Sequence, residues 1–299
     1  MTHLEIDAFL AVIQYGSITK AAEALFVTQP ALSRRIKVLE KELGYELFLR
    51  QKGIRSVEIT DSGRHFIPIA EQWKHLWMES LNVPIKDNSI ILNVSSLDSV
   101  STYIMPWVCQ SFLRNAPGMN LTIRTLHSFE AYEQLENGLI DLAFISDQMF
   151  SRHIETIPAY EEEMLFVCSE SAAYPQVVHP SDLDASKQIK LPWNPEYEMW
   201  HEYWFGSAVK PRVFLDKMSL MEHFLILEES WAIVPASAAT QLSLSEKIKI
   251  HQIKDGPTDK RIYYLLGRKR KMDATHKFLE ALDAYIATQS GIQPLLKLK

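Results

Sequence analysis

Residues Ser17 to Ile36 read Ser-Ile-Thr-Lys-Ala-Ala-Glu-Ala-Leu-Phe-Val-Thr-Gln-Pro-Ala-Leu-Ser-Arg-Arg-Ile, and they leave the chain little local choice. The run holds two short helical patterns, each opened by a capping residue and joined by a tight connection. Ser17 can cap the first, whose inner face is Ala21, Ala22 and Leu25; the small alanines let a second helix approach closely. Thr28 can cap the second, with Pro30 in its first turn, where a missing N–H costs little. Leu32, Ile36, Leu39 and Leu43 then form an apolar helical stripe. The opposite face carries Pro30, Ser33, Arg34, Lys37 and Lys41, flanked by Gln29 and Arg35. A helix buried on one side and lined with amide, hydroxyl and cationic groups on the other suits the major groove of DNA. The pattern is that of a helix-turn-helix. Its expected DNA-facing set is Ser17, Thr28, Gln29, Pro30, Ser33, Arg34, Arg35 and Lys37.

The residues after Gly44 strengthen that expectation. Tyr45 to Arg50 and Ile54 to Ile59 are strand-like runs around the polar tip Gln51-Lys52-Gly53. They predict a β-wing whose cations, Arg50, Lys52 and Arg55, reach the DNA backbone or the minor groove beside the helix.

These residues resemble the winged helix-turn-helix of LysR-type transcriptional regulators. The match runs through Phe9, Gly16-Ser17, Ala21-Ala22, Leu25, Thr28-Gln29-Pro30-Ala31-Leu32-Ser33, Ile36, Leu39-Glu40, Leu43-Gly44, Leu47-Phe48 and Arg50. It ends in Thr60-Asp61-Ser62-Gly63. The family's length and two-part plan also fit, so the resemblance extends, more weakly, over the rest of the chain.

At 299 residues the chain suits two or three compact units, and its 47% hydrophobic content supplies sizeable cores. The net charge of −6 argues against a protein that coats nucleic acid indiscriminately. It is compatible with a small basic reading head on an acidic body, because phosphate contacts are local. No apolar run approaches the roughly 18 residues of a membrane span, and the N-terminus lacks an export-signal pattern. The two cysteines, Cys109 and Cys168, fit a reducing cytoplasm.

The expected fold class is α/β, in three parts. Residues 1–60 form the DNA-binding domain and 61–88 a linker helix with a hinge. Residues 89–299 form a two-lobed domain, lobe I at about 89–163 and 267–299 and lobe II at about 164–266. Thr60 can cap a long helix with apolar positions at Phe66, Ile69, Trp73, Trp77 and Leu81. The resemblance implies that this seam pairs with a second copy of the chain. Pro68 lies inside the pattern and predicts a kink or a restart. Residues Asn82 to Ser89, with Pro84, read as the hinge.

From Ile90 the texture becomes alternating strands and helices. Strands are expected at Ile90–Ser95, Leu121–Leu126 and Leu142–Ile145, with helices at Ile104–Leu113 and Phe129–Asn137. Further strands are expected at Leu165–Cys168, Ile189–Trp193, Val213–Leu215, Ala232–Val234 and Ile262–Leu266, before a closing helix Thr275–Ala287. The rhythm predicts a mostly parallel sheet covered by helices. The resemblance implies two lobes like those of periplasmic binding proteins, with a ligand cleft between them.

Matching the family's effector site places its first hydroxyl on Ser99, with Ser101 and Thr102 beside it, and its second on Ser128. From the other lobe Trp193, Asn194, Asp216 and Met218 follow strands and should face the cleft. Trp200 and Trp204 lie near Trp193 in sequence and suggest aromatic stacking. Where the family places a glycine-rich turn, this chain has Glu228-Glu229-Ser230-Trp231.

Nothing in the sequence marks an enzyme. It has no Gly-x-Ser-x-Gly elbow, no glycine-rich phosphate loop and no His-Glu-x-x-His, and its ten histidines are scattered. No cofactor or metal is expected. The reading is a cytoplasmic, homodimeric or homotetrameric regulator of double-stranded DNA at an interrupted palindrome, answering to a small organic acid, with no membrane partner. One alternative is a thiol-switched regulator of the same fold using Cys109 or Cys168; another is a solute-binding or enzymatic protein.

Overall fold

The computed structural model describes residues 1–49, 57–81, 90–267 and 271–297. The chain divides into two compact units, one of Met1–Asn88 with Asn137–Leu139, the other of Ser89–Glu136 with Ile140–Lys299.

In the first unit α1 (His3–Tyr15), α2 (Ile18–Ala24) and α3 (Gln29–Leu43) enclose one core. The Glu5 carboxylate accepts the Thr2 N–H at 2.7 Å and opens α1. Gly16, at φ 63°, closes it in a conformation that costs glycine little. Ile6, Phe9, Val12, Ala21, Leu32, Ile36 and Leu39 are buried together, each larger side chain contributing about 1.5–3 kcal/mol. The wing begins as the antiparallel pair β1 (Phe48–Leu49) and β2 (Glu58–Ile59). Its tip, with Arg50, Lys52 and Arg55, lies outside the described residues.

The Thr60 hydroxyl accepts the Gly63 N–H at 2.9 Å and so caps α4 (Asp61–Leu81). Gly63 is obligatory for space, since a Cβ there would stand 2.3 Å from the Leu47 carbonyl oxygen. Helix α4 is continuous through Pro68, with no restart. Its first turns belong to the head: Phe66 and Ala70 are part of the same core as Phe9. The expected boundary at residue 60 is therefore not a boundary in packing. The hinge segment 82–89 lies outside the described residues.

The second unit holds two lobes. Lobe I is built on β3 (Ile90–Ser96), β4 (Met119–Thr125), β5 (Leu142–Ile145), β6 (Ile154–Glu162), then, after the second lobe, β13 (Lys260–Gly267) and β14 (Ile292–Pro294). Lobe II contains β7 (Met164–Ser169), β8 (Val177–Val178), β9 (Ile189–Lys190), β10 (Val213–Phe214), β11 (Trp231–Pro235) and β12 (Ile248–Ile253). The helices of the unit are α5 (Asp98–Tyr103), α6 (Met105–Asn115), α7 (Ser128–Glu136), α8 (Pro195–Phe205), α9 (Met221–Leu225), α10 (Ala236–Leu242) and α11 (Met272–Ile286).

The first sheet has the order β14-β6-β13-β5-β3-β4. Only β4-β3-β5 is parallel; β13 runs antiparallel to both β5 and β6, and β14 antiparallel to β6. The expectation of a mostly parallel sheet is thus corrected to a mixed one, because the strands that cross between lobes reverse direction. Strand β13 sits wholly in the first sheet, which moves the lobe boundary from 266 back to about 260. Alternation along β5 feeds two cores: Leu142 and Phe144 pack towards α6 and α11, while Ala143 and Ile145 pack with α7. Pro158 in β6 cannot donate to the ladder, and the register slips beside it, between Ile262 and Tyr263.

Lobe II carries the order β11-β7-β12-β8, antiparallel except between β12 and β8. Its core joins Phe166, Met218, Met221 and Trp231. The expected strand Ile189–Trp193 is only Ile189–Lys190, since Asn194 caps α8 by accepting the Tyr197 N–H at 2.8 Å. The chain crosses between lobes from β6 to β7 and from β12 to β13. At these crossings Glu162 and Lys260 lie opposite one another in register.

Candidate functional site

Two surfaces carry the residues singled out from the sequence. The first is the outer face of α3. Thr28 spends its hydroxyl on the helix, accepting the Ala31 N–H at 3.4 Å. Gln29, Pro30, Arg34 and Lys37 are exposed, and Ser33 and Arg35 half-buried. None of the three cations forms an ion pair among the described residues, so their charge is available to an anion. Ser17 occupies the N-cap position of α2 with extended backbone, but its side chain makes no capping bond, which corrects that expectation. Sequence reasoning passed over Phe26. It is 96% exposed and adopts φ 54° in the connection between α2 and α3.

The seam on α4 divides. Phe66 is buried against Phe9, with ring centroids 5.3 Å apart, and Trp73 packs on the same core. Phe66 is therefore corrected from an interface position to a core residue of its own unit. Trp77 stacks on Trp73 at 5.7 Å and on His3 at 5.0 Å. Ile69 and Leu76, seven residues apart on one face, are 54% and 57% exposed, and Leu81 is exposed as well.

The second surface is where the lobes meet. Strand β3 ends into α5, and the first hydroxyl, Ser99, is buried there. Its Oγ accepts a hydrogen bond from Lys260 Nζ at 2.8 Å, and the same ammonium lies 4.7 Å from the centroid of the Trp193 ring. Trp193 is held from behind, its Nε1–H donating to the Ile233 carbonyl at 2.8 Å. Ser101 joins a hydroxyl chain, 2.7 Å from Ser96 Oγ and 3.1 Å from Thr125 Oγ1. Thr102 donates to the Asp98 carbonyl within its own helix. Ser128, at the start of α7, donates to Asp147 Oδ2 at 3.1 Å and accepts the Asp147 N–H at 3.3 Å. Met218 is buried and its N–H meets Asp98 Oδ2 across the lobes at 2.5 Å. Asp216 is exposed. Trp200 and Trp204 do not join Trp193: Trp200 donates to the Asp255 carbonyl at 2.7 Å, and Trp204 packs edge-on to His179.

Sequence reasoning also missed Lys260 and Glu162. Both are buried. Burial pushes the Lys260 pKa down, against the opposing pull of Glu162, Asp147 and Asp98. Burial likewise pushes the Glu162 carboxyl up, opposed by Lys260 and by Ser237, whose hydroxyl donates to Glu162 Oε2 at 2.6 Å. Of the two glutamates that stand at the family's glycine turn, Glu229 takes the strained φ of 57°, and its carboxylate pairs with Lys187 at 2.7 Å.

Cys109 and Cys168 are both buried and belong to different cores. Burial pushes both thiols up to about 11. Such thiols resist ionisation and so make poor redox sensors. Among the described residues no cluster of three or more His, Cys, Asp or Glu could hold a metal, and no helix is long and apolar enough to cross a membrane.

Residues 4–64 match the family described as bacterial regulatory helix-turn-helix protein, lysR family, and residues 88–287 match the LysR substrate binding domain. The chain is 28% identical to the uncharacterized HTH-type transcriptional regulator YybE of Bacillus subtilis, over 54% of this chain and 55% of that one. It is 31% identical to a probable nitrogen assimilation transcriptional activator of Synechococcus elongatus, over 48% and 46%. The chain thus spans about half the length of the curated relatives it matches. In fold it is similar to CbnR, a LysR family transcriptional regulator (TM-score 0.69, 21% identity, 95% and 99% coverage). It is also similar to a full-length OxyR variant from Pseudomonas aeruginosa (TM-score 0.63, 18% identity, 99% of each chain). With both halves of its plan matched in order, the chain belongs to the LysR family of bacterial regulatory helix-turn-helix proteins.

Proposed function

We propose that the chain is a transcription regulator that reads double-stranded DNA with α3 and answers to a small organic acid held between the lobes of its second unit. The observation that carries the reading is the outer face of α3. Gln29 and Arg34 stand exposed there, with Lys37 beside them and no internal ion pair among the described residues. Gln29, Ser33 and Arg34 have the chemistry for base edges, and Arg35, Lys37, Arg50 and Arg55 for phosphates. Ser99, Ser101, Thr102, Ser128, Trp193, Asn194 and Met218 surround the effector cleft in this reading; Asp216 stands at its exposed rim. The exposed apolar face of α4 that carries Ile69 and Leu76 is where a second copy pairs to give a homodimer or homotetramer on an interrupted palindrome. The protein acts in the cytoplasm, without catalysis.

The test is selection of duplexes from a random pool by the full chain. Enrichment of an interrupted palindrome supports the reading; recovery of no common sequence overturns it. A thiol-switched version is disfavoured, because Cys109 and Cys168 sit in separate cores with raised pKa values. Unchanged DNA binding by full chain treated with peroxide and then with reductant is the expected result.

A further inference from the structure

We propose that Lys260 is the cationic anchor of the effector site, and that Asp147 restricts the site to acids bearing a single anionic group; the inference rests on the effector-cleft reading above. Lys260 is the first residue of β13, at a crossing between lobes, and is 2% exposed. An ammonium has three donors. Among the described residues this one gives a hydrogen bond only to a neutral hydroxyl, Ser99 Oγ, and its remaining neighbour of note is the Trp193 face. Its register partner, Glu162, turns its carboxylate to Ser237 instead, accepting from the backbone N–H at 3.2 Å and the hydroxyl at 2.6 Å. No carboxylate of the described residues makes an ion pair with Lys260.

A buried charge without a contacting counter-charge is costly, and any ligand that supplies one gains what the protein lacks. An anion placed between Ser99 and the Trp193 ring would take two Lys260 donors and the Ser99 hydroxyl together. The lowered pKa of Lys260 agrees with this, since burial loosens its proton until a counter-anion arrives. Glu162 from β6, Asp98 from α5 and Asp147 beyond β5 act on it from a distance.

The other expected anchor, Ser128, is already engaged by a carboxylate. Asp147 Oδ2 already accepts from Ser128 Oγ at 3.1 Å and Ser146 Oγ at 3.0 Å. A second ligand carboxylate brought to Ser128 would face that one at close range, like charge against like charge. The site therefore favours an anion at the Ser99 end and a neutral or cationic tail at the Ser128 end, which selects monocarboxylates over dicarboxylates.

Thermal unfolding of the full chain at fixed ionic strength tests this with acetate, butyrate and benzoate, their amides, and succinate and glutarate. Expected is a rise in melting temperature with at least one monocarboxylate, absent with its amide and with both dicarboxylates. Lys260→Met should weaken that monocarboxylate at least tenfold, while unfolding at or above the wild-type temperature without added anion. Lys260→Arg should retain the response, and Asp147→Asn should admit succinate or glutarate.

Retention of the carboxylate response by Lys260→Met overturns the anchor role. If Ser99→Ala and Ser128→Ala lose that response while Lys260→Met keeps it, the cleft stands and Lys260 falls. Equal responses to mono- and dicarboxylates in the wild type overturn the role of Asp147. No response to any carboxylate overturns the whole inference, and no effect of any cleft variant overturns the cleft as well.

Discussion

Asp98, in the first turn of α5, accepts a hydrogen bond from the backbone N–H of Met218 at 2.5 Å, 120 residues away and in the other lobe. Tyr103 reaches the same residue from one turn further along, its hydroxyl 3.5 Å from the Met218 carbonyl. The lobes are thus fastened beside Ser99 by two side chains of α5 on the backbone of Met218, bonds that substitutions at position 218 other than proline leave in place. Asp98→Ala should lower stability by about 1.5–3 kcal/mol, the range for a hydrogen bond to a charged group. Asp98→Asn, which keeps an acceptor, should cost less than half as much. Urea unfolding of the two variants is the check, and equal losses would contradict the acceptor role.

On α3, Arg34→Ala should cost about 1–3 kcal/mol of specific binding and relax preference at one base pair, if the guanidinium forks onto a guanine. Lys37→Ala should weaken all sequences alike and reduce the slope of log K against log salt by about one. Fluorescence anisotropy on selected and random duplexes at several salt concentrations separates the two. Identical behaviour of the variants would remove the division between base reading and phosphate grip.

The division of the α4 seam changes which substitutions probe assembly. Trp73 and Phe66 support their own head, so charges there would damage the fold before reporting on any partner. Ile69→Glu and Leu76→Glu lie on the exposed face. They should preserve helical content while weakening self-association by roughly tenfold or more, about 1.4 kcal/mol. Sedimentation of the full chain reads this directly. Unchanged mass for both variants would place the partner elsewhere.

His201 should govern part of the acid response. Its Nε2 is 2.7 Å from Gln188 Oε1, and its pKa is pushed down to about 4 by burial first and then by Lys190, with Glu198 opposing. The folded chain refuses a proton that the unfolded chain accepts below about 6.5. The resulting stability is present in full above that value and drains away as pH falls towards 4, by about 3 kcal/mol. His201→Gln should be less stable than wild type at pH 7.5, with the gap narrowing by pH 4.5. A gap independent of pH would show that His201 does not titrate in this window.

Which parts of the molecule could be foreseen depends on how local their causes are. The caps at Thr28 and Thr60, the left-handed Gly16 and the stripe through Leu32, Ile36 and Leu39 each act within a few residues, and all are visible in the pattern. Strand β6 is not. Its sequence, Ile154 to Glu162, includes Pro158 and the glutamates Glu155, Glu161 and Glu162, and it becomes a strand because β13 and β14 arrive on either side of it. Ser99 and Ser128 are reached by resemblance. Lys260 and Glu162 cannot be, because Lys260 beside Arg261 reads as ordinary surface. Its burial is made by Ser99, 161 residues earlier, and by Trp193.

Glu40 has a consequence of a different kind. This carboxylate is buried on the inner side of α3 and accepts the backbone N–H groups of Leu47 and Phe48 at 2.8 and 3.3 Å, where the wing begins. The root of the wing is thereby clamped to the helix that precedes it, and one cannot tilt without breaking bonds to a charged group. In the DNA complex proposed above, little orientational freedom would remain to be surrendered, so more of the contact energy would survive as affinity. Replacing Glu40, a buried residue, is therefore expected to penalise the proposed DNA binding through entropy.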